Sequence, residues 1–446
     1  MLAPFANATY RHLFAAQVVA LLGTGLATVA LGLLAYELAG ERAGAVLGTA
    51  LAIKMIAYVG VAPVASAFAG RLPRRAMLVT LDAVRAAIAL CLPFVDQVWQ
   101  VYLLIFLLQS ASAAFTPAFQ AAIPDILPEE RDYTKALSLS RLAYDLESLL
   151  SPALAAVLLT LVSFHALFAG TALGFAISAL LVVSSTVPSA APDSGRRGIW
   201  ERTVRGMRVY LATPRLRGLF ALNLAAAAAG AMVIVNTVVL VKGLLGRGDA
   251  DVGLALAFFG GGSMLAALAL PRLLDGRPDR SVMQAGALAM FTGLAAIAAA
   301  SHGSAPDWYA LLAIWLLLGV GYSAVLTPSG RLLRRSAHAA DRPSLFAAQF
   351  ALSHACWLVT YPLAGWLGAE APMAWAAAAM GLLAACGALA AALLWPAQDP
   401  DAIAHVHDNL PENHPHLHDA TRHADGFHHR HAFVIDDEHL RWPTTG

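Results

Sequence analysis

Long apolar runs broken by short polar segments fill the chain from about residue 11 to residue 396. A helix needs about 20 mostly apolar residues to cross the hydrocarbon core of a bilayer. Twelve stretches reach that length, near 11–38, 44–69, 76–95, 98–122, 135–161, 164–187, 216–243, 250–272, 281–301, 307–330, 343–368 and 372–396. They predict an all-α integral membrane protein with twelve transmembrane helices. No basic segment with a small-residue cleavage site accompanies the first run, so that run is expected to be a retained helix rather than a signal peptide. A further helix is expected in the longest internal connection, 188–215. There Trp200, Val204, Met207 and Leu211 recur at 4-3-4 spacing, the stripe of an amphipathic helix lying on a membrane surface.

Composition narrows the class. Of 446 residues, 59% are hydrophobic and 13% charged, where a soluble domain carries about 25% charged residues. One large soluble enzyme is excluded, and so is disorder over most of the length. A net charge of +1 gives no reason to expect nucleic acid as a partner. Cys91, Cys356 and Cys386 each lie in an apolar stretch outside any C-x-x-C, so neither a disulfide framework nor a thiolate zinc site is expected. The chain lacks G-x-S-x-G, P-loop and H-E-x-x-H sequences, and no enzyme activity is expected.

Cationic residues set the orientation. With the N-terminus inside, the inner segments hold 20 Lys and Arg residues, and the outer ones hold only Arg42, Lys242 and Arg247. This asymmetry predicts a multi-pass protein of the cell (inner) membrane with both termini cytoplasmic.

The two halves repeat at a spacing near 205–211 residues. Thr116-Pro117 matches Thr327-Pro328, and Ser151-Pro152 matches Tyr361-Pro362. The loop from Gly70 through Arg71, Pro73, Arg74 and Arg75 matches the one from Asp275 through Gly276, Arg277, Asp279 and Arg280. Two six-helix halves related in this way suit a secondary transporter with substrate bound between them near the midplane. The division expected is 1–187, a cytoplasmic linker at 188–215, 216–396, and a tail at 397–446.

On these loops and this duplication the chain resembles the major facilitator superfamily over roughly residues 10–396. Its first loop departs from the pattern, because Pro73 occupies the turn and the usual acidic residue is missing. The resemblance implies conformational loops at Gly70, Arg71, Arg74 and Arg75 and at Asp275, Gly276, Arg277 and Arg280. Asp82 and Arg85, an i, i+3 pair seen in exporter-type members, suggest a latch at the cytoplasmic helix ends.

Ionisable groups at bilayer depth are expensive, and are functional or paired. They are Lys54, Asp82, Arg85, Arg141, Asp145, Glu147 and His354. Asp82 with Arg85, and Arg141 with Asp145, can each pair along one helix, so mutual neutralisation is an open reading for both. Glu147 has no partner on its own helix. Tyr144, Glu147 and Ser151 form one stripe and Arg141, Asp145 and Ser148 another, and at least one should face a central cavity. His354 falls opposite Tyr144 in the repeat. Carboxylate with imidazole suits divalent first-row metals and proton coupling alike, though His354 could equally be a hydrogen-bonded packing residue.

Ten of the 15 histidines follow residue 404: His405, His407, His414, His416, His418, His423, His428, His429, His431 and His439. Interleaved acids and irregular spacing argue against a purification tag. Metal binding is the physical reading of such a tract, which is expected to be disordered without metal. Phe433, Val434 and Ile435 could dock but are too few for a core. This tail, with Arg141-Leu142-Ala143-Tyr144-Asp145-Leu146-Glu147 before Ser151-Pro152, is similar to bacterial nickel-resistance exporters. That resemblance implies efflux of Ni²⁺, and of Co²⁺, by proton antiport. The alternatives are an exporter of an organic solute, such as a siderophore or drug, with a metal-regulatory tail, or a membrane-anchored metal sensor or buffer. Expected partners are the lipid bilayer, divalent metal ions and protons, in a monomer. No cofactor is expected beyond the transition metal as substrate and tail ligand.

Overall fold

The computed structural model describes residues 3–69, 73–188, 199–302, 305–338, 341–400, 402–407, 420–423, 426–436, 438–439 and 441–443. Six long helices come first: α1 Ala8–Ala39, α2 Ala43–Ala69, α3 Arg74–Cys91, α4 Val98–Ile126, α5 Glu130–Leu158 and α6 Phe164–Val183. A shorter α7, Ile199–Ala212, follows in the linker. The second set is α8 Pro214–Val238, α9 Asp249–Asp275, α10 Asp279–Ala300, α11 Trp308–Leu326, the short α12 Ser329–Arg335, α13 Arg342–Glu370 and α14 Met373–Leu394. Leaving aside α7 and α12, the long helices fall on the twelve apolar runs. Among the described residues, nine stretches are apolar enough to cross a membrane; one of them, Ala8–Val61, contains both α1 and most of α2. Helices α5 and α13 are long but fall outside these stretches. They carry Glu147 and His354 and an internal proline each, Pro152 and Pro362. The protein is a multi-pass membrane protein.

Helix α2 packs on α13, and α5 on α9, joining the two sets of helices. At one end of the bundle the approach is backbone to backbone. A Cβ on Gly48 of α2 would collide with the Tyr361 carbonyl oxygen of α13 and lie 3.3 Å from the Gly365 Cα, so only glycine allows this contact. At the same end Arg42 pairs with Glu370 at 2.5 Å, both exposed. The opposite end carries the arginine-rich connections, α7 and the tail.

Helix α7 forms where the apolar stripe predicted it, and it docks by another face. Arg205 binds Asp341 (Nε to Oδ1, 2.6 Å), Tyr210 donates to Gln349 Oε1, and Val209 and Tyr210 are buried. Val204 and Leu211 of the stripe stay exposed, the placement a membrane-surface helix requires. The Trp200 side chain lies outside the described residues.

The tail carries more structure than its composition suggests. Strands β1 Ala402–His407, β2 Thr421–His423 and β3 Gly426–Ala432 form an antiparallel sheet in the order β1-β3-β2. Phe433, Val434 and Ile435 are buried. They form no core of their own; Phe433 and Ile435 join the main apolar cluster of the bundle. Arg215 of α8, 2% exposed, donates to the Phe433 carbonyl at 3.5 Å, and its guanidinium lies 5.0 Å from the Trp442 ring. Asp399 pairs with Arg215 at 3.4 Å and with Arg335 at 3.2 Å, and accepts from Trp395 Nε1 at 3.1 Å.

Candidate functional site

The charges inside the bundle fall into two groups. Lys54 of α2 and Glu147 of α5 interact through their charges, and Lys54 also acts on His354 of α13. Glu147 acts in turn on Tyr361, a buried residue one side of which packs on Trp357. The groups from α2, α5 and α13 thus belong to one electrostatic cluster, without a direct Lys54–Glu147 ion pair among the described residues. Glu147 sits against α1, where a Cβ on Gly25 would lie 3.1 Å from Glu147 Oε1. Ser151, one turn on, is fully buried against the same glycine. Lys54 also lines a small cavity with Thr24, Thr28, Gln109 and Phe175. Gln109 Oε1 has no hydrogen-bond partner there among the described residues.

His354 is both packed and poised. Its ring stacks on Tyr58 of α2 at 5.9 Å between centroids, and Nδ1 lies 2.7 Å from the Phe350 carbonyl. A carbonyl only accepts, so Nδ1 carries the proton and Nε2 keeps its lone pair for a ligand or proton.

The second group joins Asp82 and Arg85 of α3. Asp82, with no exposed surface, is bound by Arg85 on its own helix and by Ser178 Oγ of α6 at 2.7 Å. The Arg85 guanidinium is sandwiched over Phe115 at 4.1 Å and Phe175 at 4.5 Å. Among the described residues no hydrogen bond or ion pair runs from this pair to residues 73–75. There Arg74 pairs with Asp125 of α4, and Arg75 donates to the Val183 carbonyl. Gly70 and Arg71 lie outside the described residues, as do the side chains of Arg141, Tyr144 and Asp145.

In the second loop, Gly276 caps α9 and Arg277 is exposed. Arg280 donates to the carbonyls of Trp395 (2.8 Å) and Ala392 (3.0 Å). Asp279 accepts from Arg331 Nε at 3.1 Å. The Asp275 side chain lies outside the described residues.

Four tail histidines converge. His405 of β1 faces His429 of β3 as its cross-strand partner; His431 lies two residues on, on the same face, and His439 folds back over them. Their ligand atoms lie within 4.8 Å of one another. His405 Nε2 is 2.9 Å from His429 Nε2 and 3.0 Å from His439 Nε2. His439 Nδ1 donates to Asp436 Oδ1 at 2.9 Å, while Asp436 Oδ2 meets His338 Nε2, just before α13, at 3.2 Å. Burial pushes the Asp436 carboxyl up, but hydrogen bonds and charge from His439 and the Glu438 amide outweigh it and hold the carboxyl below the usual range. The rings of His423 and His428 pair at 4.5 Å elsewhere on the sheet. The His407 side chain and all of His414, His416 and His418 lie outside the described residues.

Twelve long helices in two sets, with ionisable groups between them, match known transporters in sequence and shape. The sequence profile of the Major Facilitator Superfamily matches residues 13–275 and 220–411. The chain belongs to this superfamily. Macrolide efflux protein A of Streptococcus pyogenes is 27% identical over 218 residues, 48% of this chain and 53% of that protein. An uncharacterised transporter of the superfamily from Bacillus subtilis, YfiS, is 27% identical over 172 residues, 38% of this chain and 40% of that one. The chain thus matches only about half the length of the curated relatives, or less. Among solved structures, the nucleoside transporter NupG superposes with a TM-score of 0.71 at 12% identity, covering 87% of this chain and all of that one. A bacterial homologue of the lysosomal transporter Spinster, in an inward-facing unoccupied conformation, gives 0.69 at 11% identity, covering 86% and 96%. At such identities the likeness is one of fold.

In the sequence Lys54 reads only as one buried charge among several. Its signal is its place as the sole charge in the apolar run 44–69; the groups it joins stand on helices far away in sequence.

Proposed function

We propose that this superfamily member is a secondary active transporter that exports a divalent transition metal from the cytoplasm, Ni²⁺ first and Co²⁺ next, in exchange for protons. The observation that carries this reading is a histidine-rich tail anchored to the arginine-rich end of the bundle by Arg215, Arg335 and His338. With that end cytoplasmic, the tail's imidazoles raise the local concentration of metal beside the inner mouth.

Inside the bundle, Glu147 and the free Nε2 of His354 are groups that bind either a proton or a metal, so occupancy by one opposes the other. Lys54 brings a third ionisable group to the same cluster. The closed approach of Gly48 to Gly365 supports a state shut at the far end, ready to receive cargo from the tail's side.

Everted vesicles carrying the full chain test this reading under an imposed pH gradient. Uptake of Ni²⁺ or Co²⁺ that collapses with the gradient is the expected result. Metal movement indifferent to the gradient overturns proton coupling, and absence of metal movement overturns metal export. A second reading, export of an organic solute, is favoured by the small cavity of Thr24, Thr28, Lys54 and Gln109 and by the likeness to a macrolide efflux protein. Gradient-driven movement of a macrolide in the same vesicles, without metal movement, would establish it.

A further inference from the structure

The ten tail histidines do not form one equivalent pool. Three of the convergent four have their Nδ1 atoms committed to acceptors. His405 Nδ1 lies 3.1 Å from the Ile403 carbonyl, His431 Nδ1 2.8 Å from the Ala432 carbonyl, and His439 Nδ1 2.9 Å from Asp436. Those partners accept, so the protons sit on Nδ1 and the Nε2 lone pairs point the other way. His405 and His439 then present lone pair to lone pair across 3.0 Å. Two acceptors at that distance repel each other, and a cation between them turns the repulsion into two bonds.

The rings also define a shape. The centroids of His405, His429 and His431 form a triangle with sides of 4.4, 4.8 and 4.6 Å. His439 adds a fourth ring from the segment that folds back, 4.9 Å from His405 and 5.2 Å from His431. Four imidazoles are a full ligand set for a structural zinc ion, which is bound tetrahedrally. In a tetrahedral zinc–imidazole site neighbouring nitrogens stand about 3.3 Å apart, so the 2.9 and 3.0 Å pairs need to spread by only a few tenths of an ångström. His439 is 4% exposed, and Asp436 supplies both its orientation and a negative charge, as carboxylates behind metal-bound histidines do.

We propose that His405, His429, His431 and His439 form a closed four-imidazole metal centre for Zn²⁺, a resident ion distinct from the transported one. The centre staples β1 and β3 to the returning segment and so sets the docked form of the tail. The proposal shares with the proposed function only the premise that tail histidines bind metal; it needs neither transport nor nickel.

The test is spectroscopic, on the full chain in detergent after chelator treatment. Co²⁺ is added first, then Zn²⁺ or Ni²⁺. The expected result is one strongly absorbing tetrahedral Co²⁺ species, displaced by one equivalent of Zn²⁺ and resistant to Ni²⁺. His429→Ala abolishes that species, His423→Ala preserves it, and Asp436→Asn weakens Co²⁺ binding by about 10- to 100-fold. Unchanged far-ultraviolet dichroism shows that the bundle is folded in each variant, and wild-type protection of the tail from protease must appear on adding Zn²⁺. A weak octahedral spectrum, a tetrahedral band that survives His429→Ala, or ready displacement of Zn²⁺ by Ni²⁺ overturns the proposal. Gradient-driven transport in vesicles is a separate measurement that none of these outcomes decides, so the two readings fail separately.

Discussion

Lys54 on α2 and Glu147 on α5 belong to one electrostatic cluster, although their helices are far apart in sequence. Glu147→Gln removes a proton-binding group from that cluster. Gradient-driven metal uptake is expected to fall by ~10-fold or more, the size of effect that groups coupled in one network show. Adding Lys54→Met to this variant is expected to raise thermal stability without restoring transport. Vesicle uptake and a thermal melt on the same preparations check both halves of the prediction; restored transport would show that the pair is only structural.

Asp82 and Arg85 answer to a different measurement. Both are buried and bound to each other, with Ser178 and two aromatic rings completing the site. Asp82→Asn strands a buried guanidinium and is expected to cost about 3–5 kcal/mol. The double change Asp82→Asn with Arg85→Met is expected to recover most of it, as read by the melting temperature. A double variant no more stable than the single one contradicts this.

Gly25 is required for space. A Cβ there meets Ser151 and approaches Glu147 Oε1 to 3.1 Å. Gly25→Ala is expected to destabilise by about 1–3 kcal/mol, the usual size of overpacking, and to lower transport more than yield. Gly261→Ala, whose added Cβ meets nothing within 4 Å, serves as the control and should leave both unchanged.

Tail docking rests on Phe433, buried to 3% exposure beside the Arg215 contact and 5.1 Å from the Trp442 ring. Phe433→Ala removes that anchor, a loss of about 3–5 kcal/mol in a filled site. Hydrogen exchange in β1 and β3 should then quicken while α9 and α10 keep their protection. Equal exchange in wild type and variant would mean that the apolar anchor does not hold the sheet.

Hydropathy made the twelve spans legible because a bilayer demands apolar length, and that demand is written locally. The Asp82–Arg85 pair was legible for the same reason, since i, i+3 spacing is local. The link between Lys54, Glu147 and His354 was not, because it joins three helices through folding alone. Nor was the sheet: β3 reads Gly-Phe-His-His-Arg-His-Ala, with neither β-branched residues nor a clear alternation of apolar and polar positions. Its order comes from contacts with the bundle. The amphipathic stripe in α7 located the helix, but its docking face was set by Arg205 and Tyr210, whose partners on the α13 side no helical period reveals.

Among the described residues, the tail's polar and ring contacts with the bundle run to Arg215, Arg335 and His338, all in the second set of helices. Through these contacts the tail is tied to one half. Contacts that travel unchanged with one body are the same whichever way the two bodies tilt, and an interaction equal in both states shifts no equilibrium. Cutting the chain after Pro400 should thus change how much metal waits at the mouth and leave the balance between the two tilted forms where it was.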